Sequence, residues 1–486
     1  MGTDFRVGFQ SLSEQVRDIR LEPSGRLPSW LEGSLVRVGG AILETDAGPL
    51  EHWFDGYAMA HRFRFGGGSI RYTNSIVQSP AYTAMCEAGR PRYNEFLTVP
   101  RRSLWARFLV TLHPATASGH NGLVNVLDLD GTLVTQTEEP GGPRLDPDTL
   151  ETVGVLGYPD DLGGLMDTAH PVRDARRRCV WNLLTQVSMT GALHYVPYRI
   201  DDGSLTRVPL ARYRTDRVAY MHSFGTSDNY FVIAEWPFVA SFFRLATMAL
   251  TGRPYGRNYQ WKPDLGTRFI LFHKDTGELI GPLETDAAFS FHHANAYEDG
   301  NDLVIDASVY ADVKIVDALQ LAALRRPGGG DLPFSWLRRY RIDLRTRRVT
   351  HTDVDNGAMF EMPQLNPQSR GFPCQQLYGY SFPRSGPADQ FINQIIKIDM
   401  EAETSAIWHE DGSFPGEPVF VPRPGGTRDD DGVLLSVVLN GKGNGSGSGP
   451  RSELVVLDAA SLEEHARAPL PFVVPYEFHG QFFRAA

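Results

Sequence analysis

The stretch Asp431-Gly432-Val433-Leu434-Leu435-Ser436-Val437-Val438 opens on a turn dipeptide and runs on through valines and leucines, broken only by Ser436. A short run of this kind, bounded by Asp-Gly, reads as a β-strand. Working outward, the same pattern recurs at Ser34–Val38, Gly122–Leu127, Tyr230–Ala234, Asp302–Asp306 and Glu453–Leu457. Further Asp-Gly turns stand at Asp130-Gly131, Asp202-Gly203 and Asp299-Gly300. Many short strands separated by such turns argue for an all-β sandwich, barrel or propeller. No strict sequence repeat is visible, so periodicity does not choose among them. Helical patterning is confined to Gln10–Ile19, Arg101–Leu112, Ala240–Leu250 and Ala311–Leu324. Glycine and proline are spread evenly, and one large domain is expected.

The chain has 486 residues, 42% of them hydrophobic and 22% charged, enough for a large core. The formal charge is −11, and no basic stripe is present, which argues against a nucleic-acid partner. Cys86, Cys179 and Cys374 are odd in number and far apart, so they form neither a disulfide framework nor a zinc pattern. A reducing, cytoplasmic setting is expected. The N-terminus has no apolar signal region, and no run of apolar residues is long enough to span a bilayer.

Four histidines stand in distinctive settings: His170 in Asp-Thr-Ala-His-Pro, His222 in Tyr-Met-His-Ser-Phe-Gly, His292 in Phe-Ser-Phe-His-His-Ala-Asn, and His479 in Glu-Phe-His-Gly. Singly, each reads as an ordinary packed or surface histidine. Together they suit a site gathered from separate strands or blades, because separations of 52, 70 and 187 residues exclude one helix. Neutral imidazoles suit a first-row transition metal such as iron, and an all-imidazole shell favours O2 at an open position over structural zinc. Metal-bound histidines usually donate their second ring N–H to an acceptor. Glu138, Glu361 and Glu417 are notable here, two of them among apolar residues where a lone carboxylate is costly.

The chain resembles the carotenoid cleavage oxygenases over residues 30–483. The matching segments are 31–40, 52–56 (His-Trp-Phe-Asp-Gly), 168–171, 221–225, 291–298 (Phe-His-His-Ala-Asn-Ala-Tyr-Glu), 361–366, 416–426, 430–438 and 478–480. Segments 221–225 and 291–298 look most like the branch that holds the animal β-carotene oxygenases and the retinoid isomerase. The resemblance implies a seven-bladed β-propeller with a dome of loops and short helices over its iron-bearing face. It implies residues 1–29 as an N-terminal extension with a helix packed on the propeller, and 30–486 as the single propeller domain. One Fe(II) per chain would be held by His170, His222, His292 and His479, with His293 as the alternative to His292. Glu138 would support His222, Glu361 would support His292 and Glu417 would support His479, with Glu139 as the alternative to Glu138. Thr137 falls where a methyl group crowds an open iron position, and Phe54 falls close to the substrate cavity.

The activity implied is a dioxygenase reaction. One C=C bond of a carotenoid or apocarotenoid is cleaved by O2, and both oxygen atoms end in carbonyl products. Stilbene cleavage and retinyl-ester isomerohydrolysis are the alternatives, with a binding propeller without chemistry as a third. The stilbene branch places a lysine where this chain has Thr137, and Lys262, Lys274, Lys314, Lys397 and Lys442 all lie far from it in sequence. A polyene substrate resides in membranes. The stretches Leu104–Leu112 and Phe238–Leu250 would form an apolar patch on a membrane surface, making the protein peripherally membrane-associated. Oligomeric state is not legible.

Overall fold

In the computed structural model, the run that opened the sequence is the strand Gly432–Asn440, with eight of its nine residues buried. It pairs antiparallel with Arg451–Asp458 on one edge and with Ser413–Pro415 and Val419–Pro422 on the other. Covered on both faces, it needs mostly apolar side chains on both rather than alternation, and the one buried polar residue in its centre, Ser436, donates to Gly416 O. The structure describes residues 4–112, 118–187, 192–326, 331–354, 357–384, 391–442 and 449–485.

Seven antiparallel sheets follow one another around a ring, and the chain is a seven-bladed β-propeller. Blade 2 spans residues 125–156, blade 3 166–215, blade 4 225–285, blade 5 293–354, blade 6 361–409 and blade 7 413–469. Blade 1 closes the ring from both ends of the chain. Ile19–Leu21, Gly33–Ile42, Tyr57–Gly66 and Ser69–Ile76 are joined there by the C-terminal strand Gly480–Arg484, which pairs with Gly33–Ile42. Ser24–Gly25 crosses to the outer edge of blade 7, beside Glu464–Pro469. Each terminus is therefore locked into a sheet built largely from the other half of the chain. Small sheets of two and three strands lie outside the blades.

Turn chemistry is as expected at Asp130-Gly131, where φ is +54° and +80°. Two successive left-handed residues match the twist of a tight hairpin. Asp431-Gly432 behaves differently: Gly432 already lies in its strand, and a Cβ there would stand 2.4 Å from the Val421 carbonyl oxygen. Close strand approach, not a turn, requires that glycine.

The helices are short. α1 (Pro80–Ala88), which sequence patterning does not mark, is capped by Ser79 and begins with proline. α2 is Leu104–Leu112. α3 (Phe242–Ala246) and α4 (Met248–Thr251) occupy the expected third segment, with Ala240 closing a strand before them. α5 (Lys314–Ala318) and α6 (Leu321–Leu324) occupy the fourth. The helix expected over Gln10–Ile19 is not formed; a 3-10 turn covers Phe5–Phe9 instead. The reason is a better set of partners on blade 1. Asn74 takes the backbone of Val16 and Glu14, Gln15 accepts from Ile76 N, and Asp18 N donates to Thr73. Backbone groups of Glu14, Val16 and Asp18 that a helix would engage are taken by blade 1 instead. No helix among the described residues is long and apolar enough to cross a membrane.

Candidate metal centre

The innermost strands of the blades point their ends toward one axis, and the four histidines sit at those ends. His170 follows Met166–Asp167 in blade 3. His222 precedes Gly225–Thr226 in blade 4, and His292 precedes His293–Asp299 in blade 5. His479 precedes the C-terminal strand of blade 1. Their backbones are tied to neighbours. Val38 N donates to His479 O and His479 N to Val124 O, each at 3.1 Å, while Ser308 N donates to His292 O at 3.0 Å. Ser223 Oγ donates to Phe291 O at 2.6 Å, linking blades 4 and 5.

The four rings bring one nitrogen each to within 4.8 Å of all the others. His170 Nε2 and His222 Nε2 are 3.0 Å apart, and His292 Nε2 and His479 Nε2 are 3.2 Å apart. The other ring nitrogen is engaged in three cases. His222 Nδ1 lies 2.8 Å from Glu138 Oε1, His292 Nδ1 lies 2.6 Å from Glu361 Oε2, and His479 Nδ1 lies 2.8 Å from Glu417 Oε1. An Nδ1–H donated to a carboxylate leaves Nε2 as a bare lone pair. Converging lone pairs repel unless a cation sits between them, so this donor set fits a transition metal. Burial, then the other three histidines, push the His170 pKa well below its ordinary value. Burial also lowers that of His222, against the Glu138 bond. Both effects keep the rings neutral, as ligands must be.

The carboxylates are themselves held. Burial alone would raise Glu361 and Glu417, but the adjacent imidazoles and hydrogen bonds outweigh it and hold both below the ordinary carboxylate range. Glu361 Oε2 also accepts from Met362 N, and Glu417 accepts from Gln364 Nε2 and Gly480 N. Glu138 Oε1 accepts a second proton donor, the Tyr220 hydroxyl, at 2.5 Å. Behind Glu417 lies Arg37, fully buried, whose Nε donates to Glu477 at 2.9 Å and whose guanidinium also reaches Glu417 O and Phe478 O at 3.1 Å. Sequence reading missed Tyr220, Gln364 and Arg37. A lone arginine inside Leu-Val-Arg-Val was the one signal that could have found the last.

The alternatives separate cleanly in space. His293 turns to Ser223 Oγ at 2.9 Å and packs on Trp236, outside the cluster. Glu139 turns to Ser118 Oγ and His120 N rather than to His222.

A cavity of about 1040 Å³ opens onto the histidines. Thr137, Glu138, His222, His292 and His479 line it, with Phe54, Trp53, Phe96, Tyr220, Phe291 and Phe478 as its aromatic wall. Phe54 stands edge-on to Phe96, Phe291 and Phe478, at centroid distances of 5.4, 6.0 and 5.3 Å. Leu245 and Met248, from α3 and α4, reach the same cavity. Beside them the surface is apolar: Leu104, Trp105 and Phe243 are 76%, 68% and 74% exposed.

The model of the retinal pigment epithelial membrane protein family matches residues 9–484. The chain is 34% identical to carotenoid cleavage dioxygenase 8 homolog A, chloroplastic, of Oryza sativa subsp. japonica, over 97% of this chain and 87% of that one. It is 29% identical to the mitochondrial carotenoid-cleaving dioxygenase of Macaca fascicularis, over 97% and 93%. Among solved structures, a mutant of Synechocystis apocarotenoid oxygenase superposes with a TM-score of 0.86 at 26% identity, covering 98% of each chain. The cobalt-substituted form of that oxygenase superposes with a TM-score of 0.83 at 25% identity, over 98% of each chain.

Proposed function

Because the chain belongs to the retinal pigment epithelial membrane protein family, whose relatives here are carotenoid cleavage dioxygenases, we propose that it cleaves one C=C bond of a carotenoid or apocarotenoid with O2 and releases aldehyde products. The observation that carries this reading is the convergence of four imidazole nitrogens within 4.8 Å of one another, three of the rings lining an aromatic-walled cavity. His170, His222, His292 and His479 would hold one Fe(II) per chain. Fe(II) held there would activate O2 toward a polyene, while the cleaved C=C bond itself supplies the electrons that end in the two carbonyl groups.

The chain's own residues do the rest. Glu138, Glu361 and Glu417 fix the tautomer and direction of three ligand rings. Tyr220 holds Glu138 in place. Phe54, Phe96, Phe291 and Phe478 clamp the flat polyene and exclude water. Thr137, beside Glu138, lines the cavity, and its methyl group would narrow the approach to the ligand cluster. The exposed faces of α2, α3 and α4 dock the cavity mouth on a membrane surface, from which an apolar substrate enters directly. Three free cysteines fit a reducing compartment such as the cytoplasm.

The test is aerobic incubation of Fe(II)-loaded protein in detergent with β-carotene, a hydroxylated carotenoid, an apocarotenal, a retinyl ester and a hydroxystilbene. A pair of aldehydes from a polyene supports the assignment, and their lengths name the bond. Retinol release, or cleavage of the stilbene alone, overturns it.

A further inference from the structure

One corner of the cavity departs from its apolar lining. Glu95, Ser118, His120, Asn121 and Glu139 meet there. Glu139 Oε2 accepts from Ser118 Oγ at 2.8 Å and from His120 N at 2.7 Å. Ser118 Oγ also lies 3.1 Å from His120 Nε2. Serine has one proton. If it goes to Glu139, Ser118 accepts from His120, so the ring proton sits on Nε2 and Nδ1 is a bare acceptor. That Nδ1 is buried without a hydrogen-bond partner. Asn121 Nδ2 is spent on Gly56 O at 2.9 Å and Glu95 Oε2 at 3.4 Å, and Asn121 Oδ1 takes Ala58 N.

The corner is therefore short of donors. Among the described residues, the second oxygens of Glu95 and Glu139 have no hydrogen-bond donor. Burial, with Asp55 and Glu139 close by, raises the Glu95 carboxyl well above its ordinary range, so Glu95 readily holds a proton. A proton on Glu95 beside an ionised Glu139 presents one donor and one acceptor. A hydroxyl matches both. An unsubstituted hydrocarbon end would strip water from the corner and offer nothing back. A carboxylate end would meet Glu139 with like charge.

We propose that this corner, built from Glu95, Glu139 and the Ser118–Asn121 segment, binds the hydroxyl group of a polyene's substituted end and selects hydroxylated over unsubstituted substrates. This rests on the polyene-cleaving reading above. Specificity of this kind is steep, because a site built to hydrogen-bond a hydroxyl pays heavily when the hydroxyl is missing.

The experiment measures binding without turnover. Quenching of tryptophan fluorescence in the metal-free full-length chain reports Kd, since Trp53 lines the cavity. The ligands are an apocarotenal with and without a ring hydroxyl, the matching apocarotenoic acid, and stilbene with and without a phenol. The hydroxylated apocarotenal is expected to bind roughly tenfold or more tighter than its unsubstituted counterpart. That ratio is expected to fall toward unity in Glu139→Gln, which puts an N–H donor where the free acceptor oxygen stood, and in Glu95→Leu, which removes the donor at similar size. Equal affinities in the unaltered protein, or tighter binding of the acid, would overturn the inference. So would a hydroxyl preference confined to the stilbene pair. Binding and cleavage fail separately: a hydroxyl preference without any polyene cleavage keeps the corner and sinks the reaction, and cleavage without preference does the reverse.

Discussion

Glu361 Oε2 lies 2.6 Å from His292 Nδ1, and the two residues belong to neighbouring blades, 6 and 5. The same division of labour runs around the whole ring. Blades 1, 3, 4 and 5 supply His479, His170, His222 and His292, while blades 2, 6 and 7 supply Glu138, Glu361 and Glu417. Each blade thus gives one residue to the centre. A shift in the packing of any blade moves either a ligand or the carboxylate that aims it, so the metal site and the ring closure are one structural problem.

Glu361→Gln should keep the side chain's shape and remove its charge. Metal affinity is expected to fall by roughly 10- to 100-fold, as for other ligand-orienting carboxylates. Competition with a chelator of known affinity, using Fe(II) or Co(II), checks this. Unchanged affinity would mean that the carboxylate does not orient His292.

The adjacent pair His292 and His293 offers an internal control. His292→Ala should abolish tight metal binding, because its Nε2 faces His479 at 3.2 Å. His293→Ala should retain the metal, because that ring is occupied with Ser223 and Trp236. Metal content by elemental analysis of the two purified variants decides between them, with circular dichroism confirming the fold.

Arg37 is the cation at the back of the site. Arg37→Met leaves Glu477 and Glu417 buried without it, and breaking a buried pair from one side costs roughly 3–5 kcal/mol. Denaturant unfolding should show a loss of that size. Adding Glu477→Gln to Arg37→Met should recover part of it, because one uncompensated charge is then removed. Full stability of the single variant would contradict the account.

How much of this was legible beforehand follows from what each residue has to do locally. Strand runs such as Val433–Val438 were legible because a strand covered on both faces is apolar almost throughout, with Ser436 admitted by its hydrogen bond to Gly416 O. The four histidines stood out by their settings, but their pairing with Glu138, Glu361 and Glu417 was legible only through the family resemblance, since no local signal joins a ring to a carboxylate dozens of residues away. The Gln10–Ile19 helix was misread because its amphipathic pattern fits a helix equally well. Its true partners, Asn74, Ile76 and Thr73, lie some sixty residues away. The Glu95–Glu139 corner was invisible for the same reason: it is assembled from segments that meet only in the folded ring.

The apolar surface around α2 and α3 carries its own prediction. Trp105→Asp combined with Phe243→Asp should weaken binding to phospholipid vesicles by roughly a hundredfold or more, because each buried apolar side chain of this size is worth about 1.5–3 kcal/mol. Vesicle co-sedimentation reads this directly. The unfolding midpoint should be little changed, since both side chains are exposed.

The most direct test of the central claim is turnover of one polyene by the same preparation before chelation, after chelation and after Fe(II) is restored, with products identified by mass. The account predicts a pair of aldehydes from the loaded protein, none from the chelated protein and recovery on adding Fe(II). Cleavage that survives chelation, or none from protein holding one iron per chain with any polyene offered, would contradict it.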